Sequence, residues 1–286
     1  MNVDLAEAVK QVRPFSPALA GLLSVTSRPD HGIGDVMALV QQDPVLTAHL
    51  LRAANTAAFR RSEEVVALGM AVSLLGERFT IGLALKLCSG GFFDQSLSGY
   101  ESAAGELWTH SIKTAIAARL VSRYARGGLD ASQAFTAGIL HDIGKAVLSA
   151  GLGGRGRALA QSVISGEGHE SYLTAERAVL GYDHCEAGEA LATAWRLPEI
   201  YRAAIAHHHD PSACPDAFAP LVFAVHLGDL FAMMTGAGTG ADCLLYSLSP
   251  DSERYFSYGA EDVQRILLEL EDEYAKLVIE EDSHAG

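Results

Sequence analysis

Gly138-Ile139-Leu140-His141-Asp142-Ile143-Gly144-Lys145 is the stretch on which the reading of this chain turns. An apolar helical run ends in adjacent imidazole and carboxylate groups, and Gly144 then permits a sharp backbone turn. Neutral imidazole suits borderline divalent ions such as Zn, Fe, Ni and Co, whereas carboxylate oxygen suits harder ions such as Mg and Mn. A His beside an Asp can therefore reach an ion from two directions, and the Asp can bridge two ions. A His-Asp dipeptide alone is common, so its weight depends on the company it keeps.

That company is scattered along the chain. Glu106 and His110 stand four residues apart, on one face of a helix. His184 follows Gly181-Tyr182-Asp183, which places it in the first turn of a helix. His207, His208 and His209 run consecutively and are closed off by Asp210-Pro211 at a helix end. Asp229 interrupts the apolar run from Leu221 to Met234, where a carboxylate needs a partner. Each has a plainer alternative. His110 can be a half-buried histidine bonded to a carbonyl, Glu106 a solvated helix residue, and His184 an aid to a helix start. The histidine triplet can be surface, and Asp229 can pair with His226 one turn earlier.

The background is that of a globular helical protein. Of 286 residues, 49% are hydrophobic and 20% charged, enough to build a core and too apolar for a disordered chain. Asp and Glu total 35 against 21 Lys and Arg, a net charge of -14 that repels phosphate backbones. Only short basic pairs stand out, Arg60-Arg61 and Arg155 with Arg157, so no nucleic-acid partner is expected. Cys88, Cys185, Cys214 and Cys243 are far apart and form no C-x-x-C pair. With no signal peptide visible, they read as reduced thiols and the expected location is the cytoplasm. The most apolar stretch, Ala217 to Met234, is broken by Pro220, His226 and Asp229 and makes a poor membrane span.

Helical spacing dominates and strand-like alternation is scarce. Asp43-Pro44 is a cap followed by a first-turn proline, which starts a helix running to about Ala54. Further helices are expected over Val66–Leu75, with Gly76 as its end, and over Glu77–Leu87. Residues 89–105 are rich in Gly and Ser and read as a linker or bend. Beyond it, helices are expected over Glu106–Ala125, Ser132–Leu140, Gly156–Ile164, Ser171–Leu180, His184–Trp195, Glu199–His208 and Pro220–Met234. A last amphipathic segment, Ala260–Glu281, is acidic on its polar face and reads as a docked surface helix, with partner binding the lesser alternative. The division that follows is an N-terminal helical subdomain (1–88), the linker (89–105), a second subdomain (106–250) and a C-terminal helix (251–286).

The order His110, His141-Asp142, His184, His208-His209, Asp229 resembles the ligand order of the HD superfamily of metal-dependent phosphohydrolases, with Ile139 to Lys145 its strongest local match. Asp43-Pro44-Val45-Leu46, Leu50-Leu51-Arg52, Ala54-Asn55 and Phe59 narrow the likeness to the HDOD family, the HD-related output domain of bacterial signalling proteins. Ala71-Val72-Ser73-Leu74-Leu75-Gly76, Leu107-Trp108-Thr109-His110-Ser111, Gly181-Tyr182-Asp183-His184, Trp195-Arg196-Leu197-Pro198 and Ile205 with His208-His209 and Pro211 continue it, over about Pro14 to Met234. The resemblance implies an all-α, HD-domain-like helical bundle with an N-terminal helical subdomain.

The same resemblance implies a site. Glu106, His110, His141, Asp142, His184, His208, His209 and Asp229 become metal ligands, for divalent Fe, Mn, Zn or Ni, with Asp142 bridging a pair of ions. Asp142 and Lys145 become the catalytic candidates, Lys145 neutralising charge on phosphoryl oxygens or, more plainly, a solvated residue after a turn. His207 and His226 stand behind the ligands or are structural. HDOD members are usually regulatory and many have lost ligands, whereas this fuller set is similar to that of the HD-GYP cyclic-di-GMP phosphodiesterases. The Gly-Tyr-Pro motif is absent, since the chain reads Asp210-Pro211-Ser212-Ala213-Cys214-Pro215 after the His pair. Three functions follow: a regulatory module acting through a nucleotide, phosphoester or signalling-protein partner, a metal-dependent phosphohydrolase, or a metal-free scaffold.

Overall fold

The computed structural model describes residues 4–12, 17–55, 65–89, 91–166 and 171–282; Pro14, Phe59, Gly90 and the Arg60-Arg61 pair lie outside the described residues. The architecture is helical throughout, with no β-strand among the described residues and two isolated bridges, Leu97–Ser102 and Ala125–Phe256.

The N-terminal helices are α1 (Leu5–Gln11), α2 (Pro17–Thr26), α3 (Ile33–Val40), α4 (Pro44–Ala54), α5 (Leu68–Leu75) and α6 (Glu77–Cys88). Asp43 starts α4 as expected: its carboxylate accepts the Val45 and Leu46 N–H groups at 2.9 and 3.1 Å. Leu46, Leu50 and Ala53 of α4 then bury with Ala71 and Val72 of α5 and Ile81 and Leu85 of α6 in the core. Asn55 does more than end a helix. Its amide donates to the Leu51 and Val65 carbonyls, and its oxygen accepts the Val65 N–H, each at 2.8 Å.

The second half comprises α7 (Glu106–Ser122), α8 (Ala131–Leu140), α9 (Ile143–Leu152), α10 (Gly156–Ile164), α11 (Tyr172–Leu180), α12 (His184–Ala194), α13 (Glu199–His207), α14 (Ala219–Met234), α15 (Ser252–Tyr255) and α16 (Ala260–Asp282). At its centre lies α7, buried on nearly every side between α8, α14 and α16. A helix buried all round need not be amphipathic, and it can serve different sites on different faces.

Gly144 departs from its expected role as a turn. It lies inside α9, a helix the sequence pattern leaves unmarked, and its bare Cα is where α9 meets α12. A Cβ there would collide with the His184 carbonyl and the Gly188 backbone. Residues 91–105, expected as linker or bend, pack closely against the helices that follow. Phe93, Leu97 and Tyr100 are buried, the Gly99 N–H donates to Ser149 Oγ at 3.1 Å, and a Cβ on Gly99 would strike the Ser149 carbonyl.

The acidic face of α16 is turned partly onto α7. Glu271 takes Lys113 at 2.6 Å, Glu273 takes Arg119, and Glu269 takes Arg123 at 2.6 Å, while Ile266 and Leu270 bury beneath them. This is the docked arrangement expected from its amphipathicity.

Candidate metal centre

His110 projects from α7, His141 and Asp142 from the corner between α8 and α9, and His184 from the first turn of α12. His208 and His209 follow the end of α13, and Asp229 comes from the middle of α14. Local chemistry sets several of these positions. Asp183 caps α12 by accepting the Glu186 N–H at 2.8 Å, which fixes His184 as the first helical residue. A close α9–α12 contact at Gly144 then holds His184 near Asp142.

The side chains meet in one buried cluster, none more than 3% exposed. Asp142 is its hub. Oδ2 lies 3.3 Å from His110 Nε2 and 3.5 Å from His141 Nε2, while Oδ1 lies 3.5 Å from His208 Nε2 and 3.7 Å from His184 Nε2. Asp229 Oδ1 adds contacts of 3.1 Å to His110 and 3.7 Å to His141, and its Oδ2 lies 3.7 Å from His209 Nδ1. The donors divide into two groups that share Asp142: His110 with His141, and His184 with His208 and His209.

The outer nitrogens show which way the imidazoles are wired. Nδ1 of His110 donates to the Ala237 carbonyl at 2.7 Å, that of His141 to Gly138 at 2.7 Å, and that of His208 to Ile205 at 2.9 Å. Nδ1 of His184 donates to Glu176 Oε2 at 2.8 Å. Carbonyl and carboxylate oxygens only accept, so the proton sits on Nδ1 and, in the neutral ring, the Nε2 lone pair faces the cluster.

Several atoms facing the cluster lack a hydrogen-bond partner. Asp142 Oδ1, Asp229 Oδ2, His184 Nε2 and both ring nitrogens of His209 are buried without a hydrogen bond. Buried polar atoms left so are costly in water-excluded surroundings. Bonds of about 2.1 Å to one ion place neighbouring donors roughly 3.0 Å apart in an octahedron and roughly 3.4 Å apart in a tetrahedron. The observed spacings fall around those edges, so the donor set fits a divalent cation.

Charge points the same way. Burial would raise the Asp142 carboxyl, but Lys145 and His141 hold it well below the usual carboxylate range; Asp229 is held down likewise by His110 and His141. Burial opposes a proton on His110, yet hydrogen bonds with Asp142 and Asp229 lift it to about 9. Burial also opposes His208, which the Cys185 sulfur and Asp142 push up to about 10. His209 and His141 are lowered, first by burial and then, for His209, by the neighbouring His208. The centre thus gathers ionised carboxylates among imidazoles, a donor set suited to a divalent cation.

Two expectations change. Glu106 is exposed, and its carboxylate accepts the Ala103 N–H at 2.8 Å across the first turn of α7, so it lies outside the cluster. Lys145 is not a solvated residue: it is 2% exposed and bonds Asp142 at 2.8 Å, Asp242 at 2.7 Å and Thr239 at 2.6 Å. His226 turns away from Asp229 to the His208 carbonyl and the Ser249 N–H, and His207 enters neither donor group.

Three residues the sequence reading passed over complete the site. Glu176 is fully buried, holds His184 and accepts the Tyr100 hydroxyl at 2.5 Å. Its signal was a carboxylate on the apolar stripe of α11, beside Tyr172, Ala175 and Leu180. Asp242 and Tyr246 come from the non-helical stretch 235–250, which lies against the cluster. Tyr246 stacks on His209 with centroids 3.6 Å apart and donates to Asp242 at 2.7 Å.

Comparison with known proteins agrees with this architecture. The HDOD domain family matches residues 13–211. An uncharacterized protein of Treponema pallidum is 24% identical over 235 residues, 82% of this chain and 44% of that protein. Ribonuclease Y of Thermus thermophilus is 36% identical over 115 residues, 40% of this chain and 15% of that enzyme. The chain thus spans less than half the length of these curated relatives. Among solved structures, an HDOD domain protein of unknown function from Geobacter sulfurreducens shares the fold with a TM-score of 0.69 at 22% identity, covering 97% of this chain and 96% of its own. A provisionally named signal transduction protein from Marinobacter aquaeolei gives 0.74 at 22% identity, over 97% of this chain and 60% of its own. No single helix among the described residues is long and apolar enough to cross a membrane. The family match runs over most of the sequence, and the chain belongs to the HDOD family.

Proposed function

We propose that this HDOD protein is a metal-loaded regulatory module of bacterial signalling, in which a closed His/Asp centre organises the fold for contact with a nucleotide, phosphoester or signalling-protein partner. The observation that carries this reading is closure. The donor side chains are buried, Tyr246 covers His209, and Lys145 is saturated by Asp142, Asp242 and Thr239. A phosphoryl group would reach the Lys145 ammonium by displacing one of these three partners.

In this reading His110, His141, Asp142, His184, His208, His209 and Asp229 hold divalent Fe, Mn, Zn or Ni, with Asp142 shared between the two donor groups. An ion bound there supplies Lewis acidity towards a phosphoryl or water oxygen. Glu176 orients His184, and the carbonyls of Gly138, Ala237 and Ile205 orient the other rings. The division at residues 88 and 105 separates the helices that hold the centre from an N-terminal subdomain without such a cluster among its described residues, which is left to contact partners.

A second reading, a phosphohydrolase, is favoured by the completeness of the donor set and by the presence of Lys145 beside Asp142. The test begins with elemental analysis of protein purified without an affinity tag. Near-stoichiometric transition metal is expected, lost in His141→Ala and Asp142→Ala and retained in Lys145→Ala; metal-free protein that cannot be reconstituted overturns the proposal. The loaded protein is then offered a generic phosphodiester and a nucleotide panel. No hydrolysis is expected of a regulatory module, whereas turnover abolished by Asp142→Ala would establish the enzyme.

A further inference from the structure

On another face of α7 from the His/Asp cluster, a cavity of about 820 Å3 opens between α4, α6, α7, α8 and α16. Small-molecule sites are commonly about 300–1,000 Å3. The walls are apolar and aromatic, with Leu83 from α6, Trp108 and Ile112 from α7, Phe135 from α8, and Tyr274 and Leu277 from α16. On α7 the lining residues Trp108, Ile112, Ile116 and Arg119 recur at helical spacing, so they form one stripe distinct from that of His110.

The charge of the lining reverses that of the protein. The chain carries 35 acidic and 21 basic residues, yet this wall holds Arg52, Arg78, Lys86, Arg119 and Lys276 against Glu77 and Glu273. Both acids are already engaged, Glu77 by His31 at 2.7 Å and Ser132 at 3.1 Å, and Glu273 by Arg119. Arg119 is 4% exposed; burial first, and then the nearby Arg78 and Arg123, weaken its hold on its proton against the pull of Glu273. Positive charge gathered around an apolar, aromatic space is complementary to a molecule that is itself flat, apolar and negative. A cation would be repelled by this lining.

We propose that this cavity binds a small ring-bearing organic anion, its ring held by the aromatic wall around Trp108 and Phe135 and its negative group balanced by the lining guanidiniums. The proposal stands apart from the metal reading, because it uses none of the cluster residues. It would give the molecule an input site on the same helix that supplies His110.

The probe is anilinonaphthalene sulfonate, and the control is its uncharged relative phenylnaphthylamine, which keeps the rings without the sulfonate. Trp108 is the reporter, read in a Trp195→Phe background because the chain has only these two tryptophans. Saturable one-to-one binding is expected, with quenching of Trp108, a raised Tm, and about ten-fold tighter binding of the anion than of the neutral dye. The Arg52→Gln/Arg78→Gln pair should erase that preference and leave the neutral dye within two-fold. Gly82 lines the cavity and has room for a Cβ against Ile112 and Phe135, so Gly82→Leu should fill the space and abolish binding of both dyes. Non-saturable binding, a lowered Tm or equal affinity for the two dyes overturns the proposal. So does unchanged binding in Gly82→Leu; should that variant fail to fold, the arginine pair decides alone.

Discussion

Two regions share α7 and contrast in almost every respect. The His/Asp cluster is polar, sealed and self-neutralising, with each buried carboxylate facing an imidazole or an ammonium. The cavity lined by Trp108 and Arg119 is apolar, open enough to hold a molecule, and positively charged in an acidic protein. The difference teaches that one buried helix can carry two kinds of site when neither face is needed for solubility. What holds each site also differs: the cluster depends on close backbone contact and carbonyl acceptors, the cavity on what is absent between helices.

That contrast can be broken most forcefully at Gly144. Gly144→Ala drives a methyl into the α12 backbone and should destabilise the fold by about 3 kcal/mol. Urea unfolding measures it, and metal content should fall while dye binding in the surviving native fraction stays the same. A milder probe of the same region is Glu176→Gln, which weakens the acceptor that orients His184. Metal affinity should drop roughly ten-fold, read by competition with a chelator. If dye affinity fell in parallel, the two regions would not be separable.

From the other side, Glu273→Gln removes an acid from the cavity and releases Arg119. Affinity for the anionic dye should rise about three-fold, a modest effect because Glu273 is partly solvated, with metal content unchanged. The smallest effect concerns His31, which joins the turn before α3 to the cavity residue Glu77. Burial opposes its proton, but the Arg28 carbonyl and Glu77 outweigh that and raise its pKa. A raised folded value means the stabilisation is full below the unfolded value of about 6.5 and is lost as pH rises through the folded one. Wild type should exceed His31→Gln by about 0.5 kcal/mol in acid, with the gap closing in alkali, as read from urea midpoints at both extremes.

Much of the helical layout was legible because caps announce themselves. Asp43-Pro44, Ser171 and Asp183 each start a helix where a side-chain oxygen can take free N–H groups. Helix α9 was not, because Gly144 suggests a turn, and its value lies instead in letting another helix approach. Of the candidate ligands, only Asp229 asked for a partner by itself, as a carboxylate interrupting an apolar run; each histidine alone had a plainer reading, and the set was named through the resemblance to the HD superfamily. Glu106 misled because spacing of four residues establishes a shared face but not which way that face looks. Asp242 and Tyr246 were illegible, since residues 235–250 carry no periodicity and acquire meaning only when folded against Lys145 and His209.

The Asn55 amide, bonded to Leu51 and to both polar groups of the Val65 backbone, draws positions 55 and 65 of the chain to a single point. A fluorescent reporter spliced between positions 56 and 64 would therefore be moored by both of its ends at one spot. Each doubling of the inserted length would then add only about 0.6 kcal/mol of closure entropy, which makes this junction the natural graft point for watching the protein at work.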